Sequence, residues 1–101
     1  MQVILSTARD LQEAKKIAKR LLQHRLAACV NIIPTITSMY IWKDEIVEDQ
    51  EVMLIIKAID FHKVQRAIQE IHSYEVPEII AFDIDDGSNQ YLGWIREVLL
   101  Q

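Results

Sequence analysis

The seven-residue run His72-Ser73-Tyr74-Glu75-Val76-Pro77-Glu78 concentrates the side chains best able to hold a metal or move a proton. Imidazole titrates near neutrality and is a common ligand for copper and zinc. Glu78 adds a carboxylate, so His72 and Glu78 are the candidate metal ligands. The competing role for His72 is that of a histidine at a helix C-terminus, where the helix dipole favours it. Asp83, Asp85, Asp86 and Ser88 suggest a calcium loop, but the spacing is wrong. An EF-hand needs glycine at its sixth position and a bidentate acid at its twelfth. Counting from Asp83, Gly87 is fifth and Trp94 twelfth, so these acids are expected to cap and solvate a turn.

Tyr40, Trp42, Tyr91 and Trp94 carry polar tips on large apolar bodies, which suits packing, interfaces and ligand pockets alike. Lys57 closes an apolar run, where a buried ammonium needs a carboxylate partner, with Glu48 and Glu51 as candidates. These five residues, Tyr40, Trp42, Lys57, Tyr91 and Trp94, are assigned to a ligand cleft or an interface. There is no glycine-rich phosphate loop and no serine in a nucleophile elbow. No nucleophile and base lie at a productive spacing, so no enzymatic activity is expected.

The elements that must position these groups are legible in the periodicity. Val3-Ile4-Leu5 reads as a buried strand. Leu11, Ala14, Ile17, Ala18, Leu21 and Leu22 form one apolar helical stripe, opened by Asp10 with Glu13 three residues later as an acidic capping box. Leu26 to Trp42 is a long β-branched stretch in which Pro34 marks a bulge or edge. Trp42-Lys43-Asp44-Glu45 is a tight turn, and a second long strand runs from Glu45 to Ala58. Asp60 caps a second helix through Phe61, Val64, Ala67, Ile68 and Ile71. A strand over Pro77 to Ile84 and a third helix through Tyr91, Trp94, Ile95, Val98 and Leu99, capped by Ser88, complete the chain. This order is the split βαβ arrangement: an α+β, ferredoxin-like sandwich with one antiparallel sheet.

At 101 residues with half of them hydrophobic, the chain is expected to form one domain over residues 1–101. A net charge of −4 argues against non-specific nucleic-acid binding, which needs clustered cations on phosphates. Lys15, Lys16, Lys19 and Arg20 sit at helical spacing and read as a solvated face. The lone Cys29 excludes an internal disulfide and a cysteine-based zinc site within one chain, which fits a reducing compartment. The first strand opens at Gln2 or Val3, leaving no room for a signal peptide, and no apolar run approaches the roughly twenty residues of a membrane span. A cytoplasmic location without membrane or nucleic-acid partners is the expectation.

Val52-Met53-Leu54-Ile55-Ile56 is apolar on both faces of its strand, whereas helices on one side and water on the other should enforce alternation. Leu26 to Ile33 behaves similarly. Self-assembly is the economical cover for the second face; the alternative is a third helix folded across it.

Three stretches together resemble a known family: Leu26 to Pro34, Ser38 to Ile46 with Glu48 and Glu51 to Lys57 behind it, and His72 to Ile79 with Tyr91-Leu92-Gly93-Trp94-Ile95. The chain is identified on these as a member of the CutA divalent-cation tolerance family. The resemblance implies a homotrimer in which the hairpin strands of one subunit extend the sheet of the next, and a link to copper or another divalent cation. It also implies a likeness of architecture to the PII signalling trimers, which bind ligands between subunits. Copper-binding members place a cysteine at the end of the first strand and a histidine pair before the Tyr-x-x-Pro-Glu block. This chain has Ser6 and Ile71-His72 there, so binding centred on His72 with help from Glu78 is expected to be weak. Ser73 and Asp44 replace a usual proline and glycine.

Overall fold

The computed structural model describes residues 1–100. Its elements are β1 (Gln2–Ala8), α1 (Leu11–Gln23), β2 (Ala27–Trp42), β3 (Glu45–Ala58), α2 (Phe61–Ile71), β4 (Ile79–Asp83) and α3 (Asn89–Leu99). The four strands form one sheet in the order β2-β3-β1-β4, with every neighbouring pair antiparallel. That order is the ferredoxin-like topology, in which each crossover helix returns the chain to the same face.

The core lies between α1, α2 and the sheet. Ile4 and Ala8 from β1, and Val52, Leu54, Ile56 and Ala58 from β3, alternate onto one face and meet Ile17, Leu21, Val64 and Ile68. The helix ends follow local chemistry. The Asp10, Asp60 and Ser88 side chains accept the backbone N–H of Glu13, Lys63 and Tyr91 respectively, satisfying donors that no helical turn can reach. α1 ends in a Schellman motif: Leu26 N–H donates to the Leu21 carbonyl and Arg25 N–H to that of Leu22. Arg25, with φ of 56°, stands at the left-handed position that glycine usually fills.

Pro34 lies where the β2–β3 register shifts, between Ile33 and Ile36. Lys43 and Asp44, with φ of 51° and 65°, form the two-residue turn of the hairpin, the primed geometry that matches strand twist. Beyond Val52, the partner of Ala8, no other strand pairs with the hairpin, so residues 36–51 project as an arm and stretch the molecule to 44 × 25 × 23 Å. β4 begins at Ile79, two residues later than its sequence suggests. Pro77 cannot donate to a ladder, and residues 72–78 are instead committed to the turn described below.

The register exposes what the second face carries. Phe82, Val3, Lys57 and Cys29 stand side by side across the sheet, as do Ile80, Leu5, Ile55 and Asn31. α3 packs against β2 and β3 and buries Ile95 completely, outside the main core. Its cover is partial, because Phe82 remains 56% exposed and Ile80 47%.

Replacing Arg25 by glycine relieves the left-handed strain, since the Arg25 contact to the Val98 carbonyl is exposed and 3.5 Å long. Arg25→Gly is therefore expected to raise stability by about 1 kcal/mol. Urea midpoints at matched chain concentration, with an unchanged m-value, check it.

Candidate functional site

The best-formed concavity lies where the base of the hairpin arm meets the segment between α2 and β4. Its two walls are joined by hydrogen bonds that the chain could make only once folded. Glu13, buried in the first turn of α1, accepts the Arg9 N–H at 3.0 Å and the Ser73 N–H at 2.8 Å. One carboxylate thus closes the β1–α1 turn and anchors the exit from α2. Burial alone would raise its pKa, but the donors on Arg9 and Ser73 outweigh this and hold it below the ordinary carboxylate value.

His72 caps α2 and is spent within the chain. Its Nε2–H donates to the Thr7 carbonyl at 2.7 Å, while Nδ1 accepts the Tyr74 N–H at 3.0 Å. Both ring nitrogens are occupied, the neutral Nε2–H tautomer is specified, and the ring tilts over Tyr74 at 4.7 Å. The helix-terminus role is thus the one the geometry displays, and a metal would have to displace Thr7 or Tyr74 to reach this imidazole. Tyr74 in turn donates its hydroxyl to the buried Glu51 at 2.7 Å. Burial, joined by that bond, pushes the Tyr74 phenol far above its usual pKa. Tyr40 donates to Asp49 further out on the arm, and this carboxylate also raises the Tyr40 pKa.

Between these pairs opens a cleft of about 700 Å³. Four carboxylates line it, those of Asp49, Glu51, Glu75 and Glu78, with Thr7, Tyr40, Trp42 and Tyr74, and no basic side chain. Glu78, Tyr40 and Trp42 are thus brought together, whereas His72 lies behind the wall. Among the described residues, no three His, Cys, Asp or Glu side chains converge as a set able to hold a metal ion.

The remaining expected residues sit elsewhere. Lys57 lies on the second face of the sheet and donates to Asn31 across the β2–β3 pair. Neither Glu48 nor Glu51 is its partner: Glu48 faces Met39 on the arm and Glu51 is held by Tyr74. Tyr91 and Trp94 pack on each other at 5.7 Å along α3, and burial together with Cys29 raises the Tyr91 pKa.

Ser6 and Ile71, which stand at the expected positions of further ligands, are core residues here. Ser6 is fully buried with its hydroxyl unpaired, and Ile71 packs against the core. Glu13, Glu51 and Asp49 were the residues whose structural partners the sequence did not disclose. The capping-box spacing of Glu13 was the one available signal, and it points only to the local half of its role.

Residues 2–98 match the family described as CutA1 divalent ion tolerance protein. This chain belongs to the CutA family. It is 46% identical over 98 residues to the divalent-cation tolerance protein CutA of Thermus thermophilus, covering 95% of each chain. The solved structure of a Thermus thermophilus divalent cation tolerance protein superposes with a TM-score of 0.92 over 96% of this chain and 97% of that one. A structure described as the periplasmic CutA of Archaeoglobus fulgidus is 39% identical, with a TM-score of 0.93 over 98% of this chain and 99% of that one. The human protein CutA is 45% identical over 93 residues, and the match takes in 84% of this chain but 49% of the human one. CutA relatives thus include one described as periplasmic and, in Arabidopsis thaliana, one described as chloroplastic. No helix of the described residues is long and apolar enough to cross a membrane.

Two outcomes follow from this geometry. Glu13→Gln sets an amide N–H₂ against a backbone donor and is expected to cost about 2 kcal/mol at neutral pH. Because the folded pKa of Glu13 is depressed, its contribution is full above the unfolded value near 4.5 and fades as pH falls through the folded value. Wild type and variant should therefore converge in acid, as chemical denaturation across pH will show. Ser6→Cys replaces an unpaired buried hydroxyl by a weakly polar thiol and is expected to raise stability by about 1 kcal/mol in the same assay.

Proposed function

We propose that this CutA chain is a single-domain subunit of a cytoplasmic homotrimer that binds divalent cations weakly and without catalytic turnover. The observation that carries the assembly is the uncovered apolar surface. Ile80 and Phe82 stand exposed on the second sheet face, and Ile41 and Ile46 pair at the arm's tip at 75% and 78% exposure. A projecting two-stranded arm beside an open β4 edge supplies both the unpaired backbone groups and the apolar area that association needs. Lys57, Tyr91 and Trp94 then belong to the interface side of the subunit. The single cysteine, Cys29, is free, in keeping with a reducing compartment.

The cation reading rests on the acid-lined cleft. Glu78 is the proposed ligand, assisted by neighbouring carboxylates, with Tyr40 and Trp42 shaping the wall and His72 holding the loop in place. Oxygen donors alone bind copper or zinc less firmly than sites that supply thiolate or imidazole, which is why the affinity is weak. The same cleft also supports a second reading, a small ligand or protein segment bound between subunits as in PII-like trimers, since its volume of about 700 Å³ falls in the range of small-molecule sites.

Sedimentation equilibrium is expected to return three chains per particle, and a mass of one chain would remove the proposed assembly. In calorimetric titrations with copper and zinc, Glu78→Gln should weaken binding severalfold, whereas His72→Ala should lower stability and leave the affinity of the folded protein nearly unchanged. A loss of affinity confined to His72→Ala would return the site to the imidazole.

A further inference from the structure

The helix layer carries a groove that neither the cleft nor the sheet face explains. It runs between α1 and α2 and encloses about 330 Å³. Arg20, His24, Lys63 and Arg66 line it against a single carboxylate, Glu70, over an apolar floor of Leu26 and Ala67. This concentration of cations stands on a chain whose net charge is −4, so it is not a reflection of overall composition.

Two features separate the groove from an ordinary solvated helix face. Arg20 is half-buried and its guanidinium is held by Glu70 at 3.3 Å, which fixes the direction of its fork. The only other salt bridge among the described residues joins Arg9 to Asp10, so Lys63 and Arg66 face the groove without a carboxylate of their own. Lys15, Lys16 and Lys19, by contrast, stand on the same helix as Arg20 but do not line this groove. The groove also opens on the helical side of the sandwich, away from the exposed Ile80 and Phe82 and from the arm, and stays accessible if those surfaces associate.

We propose that this groove binds a small phosphorylated anion bearing two linked phosphoryl groups, one per chain. With Arg20, Lys63 and Arg66 against Glu70, the lining keeps an excess of two positive charges even with His24 neutral. A monocarboxylate would compensate one of them, whereas a diphosphate group compensates both. Its tetrahedral oxygens match the planar Arg66 fork in pairs and the point charge of Lys63. Leu26 and Ala67 give an apolar remainder of such a ligand a surface to lie on.

Calorimetric titration of the full chain with inorganic pyrophosphate at low salt tests the assignment. Saturable binding at one equivalent per chain is expected, weaker with orthophosphate and with citrate. The Lys63→Ala, Arg66→Ala double variant should lose affinity by about tenfold or more. The Lys15→Ala, Lys16→Ala double variant removes the same charge from a face outside the groove and should stay within about twofold, since exposed distant charges are screened. All of these residues are solvent-exposed, and circular dichroism of each variant should match the parent. Equal losses in both double variants, citrate binding as tightly as pyrophosphate, or no saturable heat would each overturn the proposal.

Discussion

Glu13 is buried in the first turn of α1, where a carboxylate keeps its charge only if it is hydrogen-bonded. Its partners come from segments far apart in the chain. Arg9 N–H belongs to the turn that launches α1, and Ser73 N–H to the turn that leaves α2, sixty residues away. With Ser73 fixed, His72 can bridge the Thr7 carbonyl and the Tyr74 N–H, and Tyr74 can deliver its hydroxyl to Glu51 on β3. The rear wall of the acidic cleft is therefore a chain of bonds that starts at one buried oxygen pair. Glu75 and Glu78 line the cleft because the segment before them is tied at three points and turns before Pro77 and β4.

This dependence explains what sequence could and could not disclose. The caps at Asp10, Asp60 and Ser88, the turn at Lys43 and Asp44, and the irregularity at Pro34 were all legible, because each is decided by residues within a few positions of it. The split βαβ order followed from those elements and the handedness of crossovers. The partners of His72, Glu51 and Lys57 were not legible. Each is fixed by a contact between elements distant in the chain, and nothing in local spacing distinguishes Asn31 from Glu48 as the acceptor for Lys57. The late start of β4 belongs to the same class, since residues 72–78 are held out of the sheet by bonds to α1 and β1.

Self-assembly and a third helix folded across it were the two alternatives for covering the apolar second face, and they are not exclusive. α3 takes the β2–β3 side and buries Ile95 there, leaving the β4 side exposed. A helix of eleven residues is about 16 Å long, and four strands spaced nearly 5 Å apart present a face about as wide. One helix lying over β2 and β3 cannot also shield β4. The division into a helix-covered half and an open half is thus set by where α3 lies, over β2 and β3, and not by its length.

The inward commitment of His72 follows from the same packing. The positions that would carry a thiolate and a second imidazole are Ser6 and Ile71, one fully buried in the core and the other packed at its edge. His72 follows Ile71 and bonds the residue after Ser6, spending its nitrogens on Thr7 and Tyr74 rather than presenting one outward. An imidazole left without neighbouring ligands does more for the fold as a two-sided hydrogen-bonding wedge than as a solitary donor, because a buried backbone carbonyl and N–H would otherwise go unpaired. On the cation reading proposed above, an ion would meet the solvent-facing carboxylates of the cleft, those of Asp49, Glu75 and Glu78, before it met the imidazole.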